Sequence, residues 1–175
     1  MTQSGTWTEV PRGLCHANCC PWRGFSPCVE AIHCGGRTNL VILQGNVNAD
    51  SYRRVLETEM LPYARRHFGR NFLFQHDNAH AHRARRLQDF LEGEEVGQLP
   101  WPPYSPDLNP IEHAWDALDR AIRKRDVQPT NLRELGEALI QEWNGLSQRD
   151  LNKLVESLPR LIDAVIQTRG GYTRY

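Results

Sequence analysis

Five prolines fall within eleven residues, at positions 100, 102, 103, 106 and 110, and neither a helix nor a central strand can run through such a stretch. Each lacks a backbone N–H, fixes φ near −65° and drives the preceding residue out of the helical region. The 175-residue chain is thereby divided into two parts. Upstream, short apolar runs alternate with helical spacing; downstream, every pattern is helical.

In the upstream part, TNLVIL at 38–43 is β-branched and apolar and is followed by the turn signal Gly45-Asn46, which predicts a strand. Tyr52, Val55, Leu56, Met60 and Tyr63 recur at threes and fours, with Asn48 or Asp50 as N-cap, and predict a helix over 50–67. FLFQ at 72–75 reads as a buried strand that stops just before Asp77-Asn78. A helix over 82–91, carrying Ala84, Leu87, Phe90 and Leu91 on one face, and a short strand over 96–99 complete the alternation. The expected fold class is therefore α/β, with helices covering a mixed sheet.

Downstream, Asn109 is a good N-cap, Pro110 suits the first helical position and Glu112 falls at N3, so a helix is expected to about residue 125. Two more helices follow: 131–144, striped by Leu132, Leu135, Leu139 and Trp143, and 148–168, bent or broken at Pro159 and ended by Gly170-Gly171. These form a helical C-terminal tail.

The formal net charge is zero, and nineteen of the 21 basic residues are Arg. Net charge thus gives no argument for nucleic acid; local Arg clusters do. No apolar run approaches a membrane span and the N-terminus lacks a signal-peptide core, so a soluble intracellular protein is expected, with no membrane partner and no targeting signal. All five cysteines, Cys15, Cys19, Cys20, Cys28 and Cys34, lie in the first 34 residues. Residues 1–31 show no helical or strand periodicity and read as an unstructured or non-homologous Cys-rich leader. A zinc knuckle from these cysteines with His16 and His33 is the weaker reading, because no CxxC pair occurs.

Asp77 ends a strand and Glu112 enters a helix, with 34 residues between them. Carboxylates on two separate elements can converge on divalent ions, and Mg²⁺ takes hard oxygens while keeping several waters. Taken singly, Asp77 is also an ordinary turn residue and Glu112 an ordinary capping-box residue.

With their flanks, QHDNAHAHRA, LPWPPYSPDLNPIEHAWDAL and LPRLIDAVIQTRGGYTRY resemble the DDE transposases of the Tc-one/mariner superfamily. GGRTNLVILQGNVNADSY, from Gly35 to Tyr52, resembles the segment upstream of that family's second acid. The resemblance covers 32–175 and implies a ribonuclease-H-like fold in which three acids bind two Mg²⁺ or Mn²⁺ ions for DNA strand cleavage and transfer. It makes Asp77 the second acid and Glu112 the third, as both catalytic residues and metal ligands. It also implies transposon-end DNA as partner, a homodimer, and a nuclear location in a eukaryote or a cytoplasmic one otherwise.

The chain departs from the family pattern at the first acid, which should leave a central strand ahead of GGRTNL; no Asp precedes Asp50. Glu9 in GTWTEVP has no strand pattern around it, and Glu30 lies too near the matched strand, so neither is taken as the replacement. The ribonuclease-H-like fold is accordingly expected to be incomplete, without the first catalytic strand and without the upstream DNA-binding region. A truncated chain inactive alone is the expectation, because carboxylates that hold metals act as a unit. The alternative is a non-catalytic module that binds DNA or another transposase subunit.

Two further clusters bear on function. His76, Asp77, His80 and His82 could suggest zinc, but neighbours at a strand exit seldom converge without ligands elsewhere. Under the resemblance His82 matches the DNAxxH pattern as a local hydrogen-bonding residue, and His80 has no role. Arg83, Arg85 and Arg86, with Arg120, Arg123, Lys124 and Arg125, could contact DNA phosphates. They could equally be solvated helix faces with pairs such as Asp116–Arg120 and Asp119–Arg123.

Overall fold

A computed structural model describes residues 14–20, 28–103 and 105–168. Six strands form one sheet: β1 (Leu14–Cys20), β2 (Cys28–His33), β3 (Gly36–Arg37), β4 (Val41–Ile42), β5 (Leu73–His76) and β6 (Gly97–Gln98). The order is β3-β2-β1-β5-β6, with β4 also paired to β2. β1 and β2 run antiparallel, with Asn18 opposite Glu30, whereas β1 and β5 run parallel, with Ala17 opposite His76. β1 is therefore the central strand and joins the antiparallel half of the sheet to the parallel half.

This corrects the reading of 1–31 as a leader without regular structure. Residues 14–20 are the middle of the sheet, and β2 begins at Cys28; residues 1–13 and 21–27 lie outside the described residues. The place beside β5, expected to be empty, is filled by β1, which carries no acidic residue in LCHANCC. Cys15 and Cys28 are buried, and burial pushes the Cys15 thiol up to about 12. Both act as small apolar core residues rather than zinc ligands.

Helices cover both faces. On one face Ala17, Val29 and Phe74 pack against α1 (Ala49–Val55), α2 (Leu61–Phe68) and α3 (Arg85–Gly93) through Tyr52, Leu61 and Leu87. A π-helical turn, Leu56–Met60, joins α1 to α2. Pro62 offers no N–H to the carbonyl four residues back and its ring crowds that carbonyl, so the widened turn sits where a straight α-helix would clash.

On the other face Cys28 and Ile32 pack against α4 (Pro110–Arg123), α5 (Leu132–Gly145) and α6 (Gln148–Glu156). Trp115 and Trp143 belong to this core, and the Trp143 indole N–H donates to the Thr38 carbonyl at 3.0 Å, fixing the helical tail to the β3–β4 connection. The tail breaks at Ser157, and Pro159 sits in the first turn of α7 (Leu158–Gln167), where its missing N–H costs nothing. Gly170-Gly171 lie outside the described residues.

Candidate functional site

Asp77 follows the last residue of β5, at the end of the sheet toward which both β1 and β5 point. His82 Nδ1 donates to Asp77 Oδ1 at 2.6 Å, and the Ala79 N–H donates to the same oxygen at 2.9 Å. His82 is buried against Tyr52, 4.0 Å between ring centroids, and stacks on His76 at 4.9 Å. His76 Nε2 donates to Gln98, Gln98 to Gln88, and Gln88 to the His82 carbonyl. Asn78 Nδ2 donates to the Trp101 carbonyl at 2.9 Å and ties the strand exit to the proline connector. Asp77 is thus held by a continuous set of hydrogen bonds, and the DNAxxH spacing was the sequence signal for it.

Burial works against ionisation of Asp77, but the hydrogen bonds from His82 and Ala79 outweigh it and hold the carboxyl below its ordinary range. Burial, and next the neighbouring His82, push His76 down to about 4. A cavity of about 350 Å³ opens here, lined by Asp77, Asn78, His82, Arg83 and Trp101 among others.

Glu112 stands half-buried in the first turn of α4. Asn109 caps the helix by accepting the Ile111 N–H at 3.3 Å. The reciprocal half of the expected capping box is not made by Glu112: the Asn109 N–H donates to the Pro106 carbonyl at 2.7 Å instead. The 3₁₀ turn Pro106–Leu108 thus supplies the acceptor for the Asn109 N–H.

Sequence reasoning set Glu30 aside, and the structure draws it into the site. It lies on β2 between Cys28 and Ile32, which belong to the same core cluster as Ile111 and Ala114 of α4. Glu30 is 2 % exposed, and neither carboxyl oxygen has a hydrogen-bond partner among the described residues. Burial, and then the negative charge of Glu112, push its pKa well above the ordinary range. The period-two spacing 28, 30, 32 was the available signal for a buried acid.

The remaining expected groups are dispersed. Arg83, Arg85 and Arg86 are exposed at the start of α3, with Arg86 paired to Asp50 at 2.9 Å. Arg120, Arg123 and Lys124 are exposed at the end of α4, where Arg123 pairs with Asp119 at 2.6 Å. Among the described residues no group of three or more His, Cys, Asp or Glu is placed to hold a metal ion. No helix there is long and apolar enough to cross a membrane.

The domain is thus α/β, with a central strand shared by an antiparallel and a parallel half of the sheet and helices on both faces. The family model described as DDE superfamily endonuclease matches residues 22–135. The Tc1 transposase of Caenorhabditis elegans is 35% identical over 133 residues, 76% of this chain and 48% of that protein. The Tcb1 transposase of Caenorhabditis briggsae is 36% identical over 131 residues, 75% and 47% respectively. The catalytic domain of Mos1 mariner transposase superposes with a TM-score of 0.80 at 21% identity, covering 93% of this chain and 85% of that one. The chain belongs to the DDE superfamily endonucleases, as a member of the Tc1/mariner transposases with their ribonuclease-H-like fold. It spans about half the length of the curated relatives it matches.

Proposed function

We propose that this domain derives from a metal-dependent DNA strand transferase, in which Asp77 and Glu112 hold divalent ions, Mg²⁺ or Mn²⁺, at the end of the sheet. The observation that carries this reading is the fixed Asp77 at the exit of β5, beside central β1, together with Glu112 in the first turn of α4. Their hard carboxylate oxygens suit a hard divalent ion. Such an ion would activate a nucleophile and stabilise a leaving oxygen. Mos1 transposase has been seen as a catalytic domain with Mn, as a paired end complex with Mg and as a strand transfer complex. These support a metal, transposon-end DNA and a paired assembly as the setting for this chain.

The chain's own residues would serve as follows. Asp77 stays ionised to low pH because His82 and Ala79 donate to it, so it is ready for a cation at neutral pH. Arg83, at the mouth of the cavity, and the exposed Arg85, Arg86, Arg120, Arg123 and Lys124 supply positive charge for phosphates, positioning a duplex without reading bases.

Strand transfer by this chain alone is not expected, because β1 brings no acid to the end of the sheet. The same observation favours a second reading, a DNA- or transposase-binding module without catalysis. An assay of transposon-end DNA nicking in Mg²⁺ or Mn²⁺, run beside Asp77→Ala and Glu112→Ala, separates the outcomes. No nicking with salt-dependent DNA binding is expected; nicking that disappears in both variants overturns the inactivity.

A further inference from the structure

The cavity beside Asp77 has a volume of about 350 Å³, at the small end of the roughly 300–1,000 Å³ of pockets that take small molecules, so it has room for one nucleotide and not for a base pair. Its lining is unlike that of a cation site. Asp77 is its one acid, and Arg83, Asn78, Gln88, Gln98 and Trp101 make up much of the rest. The amides keep hydrogen-bonding capacity. Gln88 Nε2 donates to the His82 carbonyl and Gln98 Nε2 to Gln88 Oε1, one bond for each two-hydrogen nitrogen. Asn78 Nδ2 is engaged by the Trp101 and Pro102 carbonyls, which leaves its Oδ1 as an acceptor. Trp115 and Trp143 are core residues, but Trp101 stands half-buried in the proline connector, outside both core clusters. Its indole N–H makes no hydrogen bond among the described residues, so the ring is placed by its backbone, whose carbonyl takes Asn78 Nδ2 at 2.9 Å. Arg83 is exposed and forms no ion pair among the described residues, whereas Arg86 is paired with Asp50.

We infer that this cavity is a subsite for one unpaired nucleotide of a DNA strand, its base stacked on Trp101 and its phosphate met by Arg83. A base outside the helix exposes both a π-face and a polar edge, and proteins take the first on aromatic rings and the second on amides. Asn78 Oδ1 can accept from an exocyclic amine, and the remaining Gln88 and Gln98 N–H groups can donate to ring nitrogens or carbonyl oxygens. A paired base offers neither its face nor its pairing edge, so the lining selects a nucleotide that has left the stack. The single charge at the mouth suits a phosphate and reads no base. This rests on the reading of the domain as one that acts on DNA, and it names the part of the strand held beside Asp77; it requires neither metal nor catalysis.

The test is titration of the purified chain, in EDTA, into two labelled DNA duplexes of the same sequence, one fully paired and one carrying a single bulged 2-aminopurine. Binding is read by fluorescence anisotropy, stacking by 2-aminopurine emission and folding by circular dichroism. The bulged duplex is expected to bind at least about five-fold more tightly, the lower end of what one base–aromatic stack contributes, with its emission quenched. In Trp101→Ala the preference should fall below about two-fold and the quenching be lost, while Trp101→Phe keeps both. The Asn78 bond to the connector survives in these variants because its acceptor is backbone. Should Trp101→Ala not fold, Trp101→Leu, which keeps an apolar side chain without a ring, is read the same way. Arg83→Gln should weaken both duplexes alike and lower the salt slope by about one. Equal affinity for the two duplexes, or a preference that survives Trp101→Ala and so reports only an easily bent duplex, overturns the subsite and leaves the DNA reading standing. Binding to neither duplex overturns both.

Discussion

Asp77 and Glu30 are both acids at the polar end of one sheet, yet their surroundings are opposite. Asp77 takes two hydrogen bonds on one oxygen and its pKa is held down. Glu30 takes none among the described residues and its pKa is driven up. The difference lies in local chain path. A turn follows β5 and folds His82 and the Ala79 N–H back over Asp77, whereas Glu30 sits inside β2, where its neighbours' backbone donors belong to the ladder. One acid is fixed by the protein; the other is left for a proton.

The largest effect on this contrast should come from His82→Ala. The imidazole is wholly buried between Tyr52 and His76 and supplies the shortest bond to Asp77. Its loss leaves a cavity and removes a donor, a combined cost of about 3 kcal/mol. Urea unfolding should show the midpoint fall accordingly. A loss below roughly 0.5 kcal/mol would mean that Asp77 is held by its turn and not by the ring.

Acid should weaken the same side next. His76 titrates at about 4 in the folded protein against 6.5 ordinarily, so between these values the unfolded chain binds a proton that the folded chain refuses. Stability must therefore fall as pH drops from about 6.5 to about 4, by up to roughly 3 kcal/mol from this group, and level off below. Tyr52, Phe74, Asp77, His82 and Gln98 surround the ring. Asp77 adds a further loss as pH falls through its own lowered folded pKa. In EDTA, His76→Gln should show a shallower slope of melting temperature over this window; an unchanged slope assigns the titration elsewhere, to His33 first, whose pKa burial also lowers.

How much of this was legible depends on whether a residue's neighbours were close in sequence. The end of β5, the DNAxxH contact and the Asn109-Pro110 helix start are short-range patterns, and the structure forms all three. β1 was missed because LCHANCC, between prolines, offers small residues and thiols rather than a β-branched or alternating run. Glu30 was dismissed for lying too near the matched strand, when its surroundings include Glu112, about eighty residues away in the chain. The π-turn before Pro62 was foreseeable from that proline alone.

On the other side of the comparison the sign reverses. Glu30 holds its proton more tightly folded than unfolded, so its contribution is fully present below the ordinary glutamate range and is lost as pH rises toward the folded value. Glu30→Gln carries no charge to desolvate. Without metal it should match the unaltered protein near pH 4 and exceed it by on the order of 1–2 kcal/mol at pH 8. Chemical unfolding in EDTA at the two pH values reads this directly. A variant less stable at pH 8 would show that the carboxylate already has a compensating donor and that the contrast with Asp77 is false.

The smallest effect probes how Glu112 is held between the two. Asn109 is fully buried, accepts the Ile111 N–H, and donates its own N–H to Pro106, so it fixes the first turn of α4 from both directions. Asn109→Ala removes only the side-chain half, and the usual cost of such a cap is about 1 kcal/mol. Because the Pro106 bond is backbone and survives, Glu112 should keep its place and Mn²⁺ affinity should change by less than about three-fold, which is below 1 kcal/mol. Stability and metal binding should thus separate in this variant. If Asn109→Ala instead loses metal as severely as Glu112→Gln, the side-chain cap rather than the 3₁₀ turn positions Glu112, and the helix start has been selected for the site as well as for the helix.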